Sequence, residues 1–332
     1  MSENQDQANR NIMEFSPSVY EHAASLIQKS PWETSRDSEL LFQAHRTAFE
    51  LYHHSPVIVG IDIYNLEPEA YGAIVQQPTL NGIPAITHPI CSSARDIIEL
   101  PLFEPSRAGR IPMVLDVGSR LASSLPEADV RIPVSGPFSI ASNLVQFEVL
   151  LLEILTIPNV VLEALHHLVA GQVNFCKAIV EKGLDIAFFE SAATPPIISP
   201  QIFRDICLPP LKSILQQAEL IVGHPVPCII GGNTAPILDA IIETRTGYVI
   251  CPSETDQELF MTQMEQYPEV MVRVNMNPSI LSEGDLNAVL VEADRVIALA
   301  KRRKKSCIGT GVLPYETEPE IVLKVKEYIA QH

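Results

Sequence analysis

The chain of 332 residues is 46 % hydrophobic and 19 % charged, with a formal net charge of −17. That balance supplies a large core and excludes a disordered chain. It also excludes nucleic-acid binding, because a phosphate backbone must be met by clustered lysine and arginine.

The first residues, Met1 to Asn11, are polar, with no basic segment leading into an apolar one, so no export signal is expected. Ser18 to Lys29 and Asp37 to His53 have amphipathic spacing and predict two helices, read as a helical extension over residues 1–55. Short apolar, β-branched runs then alternate with helical stretches. The predicted strands are Val57–Ile61, Pro84–Thr87, Val130–Ser135, Asp185–Phe189, Pro227–Ile230, Tyr248–Cys251, Val270–Asn275 and Cys307–Thr310. The predicted helices include Pro158–Lys182, Ser199–Ala218, Ala235–Thr244, Thr255–Tyr267, Asp285–Lys301 and Pro319–Ala330. Near-continuous apolar strands separated by helices specify a parallel sheet covered on both faces. Eight of them predict a (β/α)₈ TIM barrel over residues 56–332 as a single catalytic domain.

The stretch from His88 to Asp129 predicts loops and small helices over the barrel mouth. Val149 to Leu165, the longest apolar run, is broken by Glu153 and Pro158 and reads as buried helix, not a membrane span. The basic run Lys301 to Lys305 reads as a helix C-terminus favoured by the macrodipole. Six scattered cysteines without a CxxC pair predict free thiols in a reducing compartment, hence a cytoplasmic protein.

In a barrel the residues just after each strand face the active site. Asp62, Tyr64 and Asn65 follow the first strand and His88 the second; Glu190 and Ser191 follow the fourth. Gly231, Gly232, Asn233 and Thr234 follow the fifth, Glu254 the sixth, and Asn275 ends the seventh. An acid after Ala187-Phe188-Phe189 is costly to bury without a partner, which marks Glu190 as functional. Asp62 reads either as functional or as a helix cap. The glycine turn at 231–232 offers backbone N–H groups to an anion, or is simply a tight turn. Cys251, Cys228 and His224 offer sulfur and nitrogen ligands for zinc, with packing the alternative for both cysteines. His53 and His54 read as surface residues.

Gly136-Pro137-Phe138-Ser139-Ile140-Ala141 and, further on, Ile198-Ser199-Pro200 with Phe203, Pro209 and Lys212 resemble the GPF-x-x-A segment and the I-S-P helix of the uroporphyrinogen decarboxylase-like superfamily. Gly232-Asn233-Thr234-Ala235-Pro236-Ile237-Leu238 is similar to its G-N-T-x-P-I-L turn, and Gly311, Pro314 and Thr317 to Glu320 to its closing segment. Gly109 to Pro112 and Asp62 to Gly72 match further positions, so the resemblance runs from about Val57 to the end. It implies a (β/α)₈ barrel.

The decarboxylases carry R-Q-A-G-R near the N-terminus, where this chain reads Leu41-Phe42-Gln43-Ala44-His45-Arg46. The Asp62 region instead resembles the corrinoid-dependent methyltransferase branch. That branch implies methyl transfer between a small methylated donor or acceptor and cobalamin carried on a separate corrinoid protein. Aligned on Gly232-Asn233-Thr234, its zinc ligands H-x-C…C fall on Ile229, Gly231 and Val312, none of which binds zinc.

The expectation is therefore a methyltransferase of a corrinoid system acting on an aryl methyl ether, methylamine or halomethane. Glu190, Asp62 and Glu254 take acid or ligand roles in it, and His88, Tyr64, Asn65, Asn233, Thr234 and Asn275 bind substrate. The alternatives are a lyase decarboxylating a polycarboxylate, and a non-catalytic barrel subunit of a methyltransferase complex. The last predicts Glu190 and Asp62 in structural hydrogen bonds with no open polar pocket beside them.

Overall fold

The computed structural model describes residues 13–332, so the polar stretch Met1 to Asn11 lies outside the described residues. The chain opens with strand β1 (Phe15–Ser18), followed by helices α1 (Tyr20–Leu26), α2 (Pro31–Thr34) and α3 (Ser38–Tyr52). Asp37 caps α3 by accepting from the Glu39 and Leu40 N–H groups. Its buried stripe, Leu41, Ala44, His45, Ala48, Phe49 and Tyr52, has the spacing that predicted the helix. Next come β2 (Val57–Ile58), α4 (Leu66–Ala70), α5 (Ala94–Ile98), α6 (Ile111–Ser124) and β3 (Val130–Ser135).

Three helices, α7 (Pro137–Leu144), α8 (Phe147–Thr156) and α9 (Pro158–Glu181), lead to β4 (Asp185–Phe189). Pro158 splits the long apolar run because it lacks an N–H, and it begins the new helix at its first position. The segment α10 (Pro200–Ile202) and α11 (Leu208–Val222) precedes β5 (Cys228–Ile229), and α12 (Leu238–Ile242) precedes β6 (Tyr248–Cys251). The chain ends with α13 (Gln257–Met264), β7 (Met271–Met276), α14 (Pro278–Glu283), α15 (Leu286–Ala300), β8 (Ser306–Val312) and α16 (Pro319–Gln331).

All strand pairs are parallel and form two four-stranded sheets, ordered β1-β8-β7-β6 and β2-β3-β4-β5. Side-chain bonds span both junctions: Ser16 Oγ donates to the Ser55 carbonyl at 2.5 Å, and Thr246 Oγ1 to the Val226 carbonyl at 2.8 Å. A cavity of about 470 Å³ at the N-terminal ends of the strands takes its walls from β2 through β8. Among the described residues no helix is long and apolar enough to cross a membrane.

Two expectations are corrected. Pro84–Thr87 forms no strand; it is a loop with one isolated antiparallel bridge, Gln76 to Ala85. The strand missing from the sequence reading is β1, which pairs with β8 through Phe15–Ile308 and Ser16–Gly309. The second correction concerns α6, a 14-residue helix with a buried stripe, longer than the loops and small helices expected there. The basic run does follow α15. Arg303 there donates to the carbonyls of Met264 and Tyr267 at 2.8 and 2.9 Å, and to Val270, fastening the end of α13.

Strand alternation sorts the side chains into two populations. Ala187 and Phe189, Ile229, Tyr248 and Ile250, and Met271, Arg273 and Asn275 line the interior cavities. Ile186 and Phe188, Cys228 and Ile230, Val249 and Cys251, and Val272 and Val274 join the core packed beneath the helices.

Candidate active site

A cavity of about 330 Å³ lies at the C-terminal ends of the strands, within the size range of small-molecule sites. Ile61, Ile63, Phe189, Ile229, Ile250 and Pro252 give it apolar walls. Polar groups enter from separate strands: Asp62, Tyr64 and Asn65 after β2, Ser191 after β4, Glu254 after β6, Arg273 and Asn275 from β7, and Glu21 from α1.

Asp62 is buried and fixed. Arg110 Nη1 and Nη2 donate to its two oxygens at 2.7 and 2.8 Å, while Arg110 Nε donates to Glu69 at 2.5 Å. This fork is the bidentate geometry that suits guanidinium to carboxylate. Asn65 Nδ2 donates to Asp62 at 2.9 Å and to the Pro84 carbonyl at 2.7 Å, tying the Ile83–Pro84 segment to the cavity wall.

Ser191 Oγ accepts twice, from Tyr64 Oη at 2.7 Å and from the Gly231 N–H at 3.0 Å. Its own hydrogen is left to donate. Burial pushes the Tyr64 phenol well above its usual range, so it stays a neutral donor.

Glu190 is fully buried and does not line the cavity. Counting along β4 explains why: 187, 189 and 191 point inward, so 190 points toward the helix layer. There it meets the first turn of α7, accepting from Phe138 N at 2.9 Å, Ser139 N at 2.7 Å and Ser139 Oγ at 2.5 Å. Burial raises its carboxyl to about 7, against the pull of those three donors. Gly136 makes the approach possible, since a Cβ there would lie 2.1 Å from Glu190 Oε2. Ser139 Oγ also accepts from Ala192 N at 3.3 Å, so Glu190 braces the loop that carries Ser191.

The proposed zinc set is not assembled. Cys228 and Cys251 are buried on the outward faces of β5 and β6, where burial pushes both thiols up. His224 is at the opposite end of the sheet, 3.3 Å from Asp185 at the start of β4. Among the described residues no three His, Cys, Asp or Glu side chains cluster to hold a metal. A pattern of residue types after strands does not tell which face each occupies, and that is where the zinc expectation failed.

His88 is exposed on the loop before α5, hydrogen-bonded to Gln76 at 2.8 Å. Asn233 Oδ1 accepts from Thr255 Oγ1 at 3.0 Å, and Thr234 is buried; neither lines the cavity. The 231–232 turn binds Ser191 through its N–H. Glu254 is at the exposed rim. His54 is 1 % exposed, not a surface residue.

Three cavity groups escaped the choice of site residues. Glu21 was assigned to the helical extension packed on the barrel and not to the site; burial raises its carboxyl to about 7. Ser191 was named beside Glu190 and passed over for it. Arg273 lay inside a strand read as apolar, where a lone charge was the available signal.

A family model for uroporphyrinogen decarboxylase (URO-D) matches residues 14–331. The chain belongs to the uroporphyrinogen decarboxylase family. No curated protein matches the sequence. A solved methyltransferase from Methanosarcina mazei is similar, with a TM-score of 0.79 at 20 % identity, covering 97 % of this chain and 94 % of that one. At that identity the likeness is one of fold, and fold alone does not assign chemistry. Positions 229, 231 and 312, where the methyltransferase resemblance puts zinc ligands, all line the cavity. In this member of the uroporphyrinogen decarboxylase family they are isoleucine, glycine and valine, which do not fit a zinc ion.

Proposed function

We propose that this chain is a methyltransferase of a corrinoid-dependent system, moving a methyl group between a small substrate and cobalamin carried on a separate protein. The observation that carries the reading is the cavity itself: apolar walls with a few polar groups, and one arginine, Arg273, among the described residues lining it. Arg110 is consumed by Asp62 and Glu69. A polycarboxylate would need several fixed cations, so decarboxylation of such a substrate is disfavoured. The open cavity beside Asp62, with polar side chains entering it from several strands, speaks against a non-catalytic subunit, even though Asp62 and Glu190 are both held in hydrogen bonds.

We further infer that the eight strands close into one (β/α)₈ barrel, with the helices between Tyr20 and Tyr52 packed on it as part of a single catalytic domain. The side-chain bonds across both sheet junctions support closure.

A cavity of about 330 Å³ suits the small substrate and not a corrin ring, which would sit at the mouth against the half-exposed Ile83 and Val312. When docked there, the corrin supplies the cobalt centre that accepts or gives up the methyl group. The residues of the chain do the rest. The apolar walls exclude water and align the methyl–heteroatom bond with the mouth. Glu21, still half-protonated near neutrality, and the Ser191 hydroxyl, polarised by its two donors, are placed to protonate the leaving heteroatom. Asp62 and Asn65 hold the wall, Asn275 faces the substrate, and Glu254 stands at the rim.

The test mixes the chain with free cob(I)alamin and panels of aryl methyl ethers, methylamines and halomethanes, following methylcobalamin by absorbance. Protein-dependent methylation with one class is expected. Failure across the panels, with carbon dioxide released from a tetrapyrrole polycarboxylate, would replace the reading.

A further inference from the structure

Arg273 is 8 % exposed, on the inward face of β7 between the two interior cavities. Among the described residues it makes no ion pair; its one side-chain hydrogen bond runs from Nε to Asn275 Oδ1 at 3.0 Å, and both residues line the C-terminal cavity. A buried guanidinium without a counter-ion is costly, and folds normally avoid it. Here the fold makes room for it. A Cβ at Gly309 would lie 2.5 Å from Arg273 Cδ and 2.9 Å from Cγ, so the glycine is what lets the stem pass. The neighbours do not neutralise it: burial holds the Tyr20 and Tyr248 phenols and the Cys307 thiol in their uncharged forms.

We propose that Arg273 binds a carboxylate of the substrate, so that the methyl-bearing molecule has an apolar body with a single anionic end directed at β7. This rests on the methyltransferase reading and names its substrate class. A monoanion fits better than a phosphate dianion, because one cation faces a cavity that also contains Glu21, Asp62 and Glu254. The two outer nitrogens of a guanidinium match the two oxygens of a carboxylate. The walls, Ile61, Ile229 and Ile250 among them, take the body, and the methyl group is left toward the mouth.

The experiment is calorimetric titration of the whole chain, without corrinoid, using acetate, benzoate and 4-methoxybenzoate and the matching neutral amides. The carboxylates should bind and the amides should not. Arg273→Gln should weaken carboxylate binding about 10- to 100-fold, and Arg273→Lys by less, since it keeps the charge but not the fork. Circular dichroism and thermal unfolding check the fold. With its uncompensated charge removed, Arg273→Gln should unfold no earlier than the parent. Carboxylate affinity unchanged in Arg273→Gln, amides binding as tightly as acids, or no carboxylate binding at all would overturn the subsite. Because binding is read without methyl transfer, carboxylate binding together with a failed cobalamin assay would sink the methyltransferase reading alone.

Discussion

Gly136→Ala tests the placement of Glu190. The new Cβ would stand 2.1 Å from Glu190 Oε2, 2.4 Å from Cδ and 2.8 Å from Cβ. Relief requires the carboxyl group to retreat by roughly 1 Å to reach van der Waals contact, and that strips it from Phe138 N, Ser139 N and Ser139 Oγ. Overpacking costs about 1–3 kcal/mol. Leaving the buried N–H donors of α7 without their acceptor adds about 1–3 kcal/mol. A loss of roughly 4 kcal/mol follows, read as the drop in urea unfolding free energy by circular dichroism. In a Glu190→Ala background the carboxyl is already gone and only the 2.8 Å contact with Cβ remains, which small shifts relieve. There the same glycine change should cost about 1 kcal/mol, giving a coupling near 3 kcal/mol by double-mutant cycle. Equal costs in the two backgrounds would refute the contact, and with it the assignment of Glu190 as the brace behind Ser191.

Glu21→Gln should abolish the fall in methyl-transfer rate as pH rises through about 7, leaving a lower, flat profile between about pH 5.5 and 8.5; an unchanged limb would assign the proton elsewhere. His45 is fully buried, accepts from the Gly60 N–H at 2.9 Å, and burial lowers it to about 4 from the ordinary 6.5. Below about pH 6.5 the unfolded chain takes up a proton there and the folded chain does not, so this contribution to stability is full above 6.5 and lost as pH falls toward 4. Glu21, Glu67 and Glu190, all raised to about 7, have the opposite sign between about 4.5 and 7, so the parent's slope is partly cancelled. His45→Leu should therefore tilt the urea midpoints measured at pH 6.5 and 4.5 toward relatively greater acid stability, by roughly 2 kcal/mol; an unaltered slope would mean the ring titrates normally. Arg110→Met leaves Asp62 buried without its cation and should cost about 3–5 kcal/mol, with part of the loss recovered in the Arg110→Met/Asp62→Asn double variant.

The parallel α/β alternation was legible because seven of the strands are apolar runs, which only a sheet covered on both faces explains. The first strand was not. Phe15-Ser16-Pro17-Ser18 is short, contains proline and two serines, and gains its place by pairing with β8, nearly 300 residues later in the sequence. Pro84–Thr87 misled for the opposite reason: Ile83 and Ile86 carry strand propensity, but the loop's backbone finds only one isolated bridge. Asp62, Tyr64, Asn65, Glu254 and Asn275 reached the cavity because position after a strand is readable from the alternation. Glu21 was hidden by the missed strand, since without β1 nothing in the sequence brings α1 to the mouth.

Facing, not proximity, separates the groups that reach the cavity from those that do not. A step of one residue along a strand reverses the side chain, so Glu190 and Cys251 lie outside the interior while Ser191 and Ile250 lie within it. The same parity makes the zinc question a chemical one. Positions 229, 231 and 312 do face the cavity. What differs is the side chains: isoleucine, glycine and valine have no atom to hold a metal or, through it, a thiolate. Under the proposed methyl transfer, a basic leaving heteroatom would be met by Glu21, whose carboxyl burial raises to about 7, and by the Ser191 hydroxyl, which accepts from Tyr64 and Gly231 and keeps its hydrogen to donate.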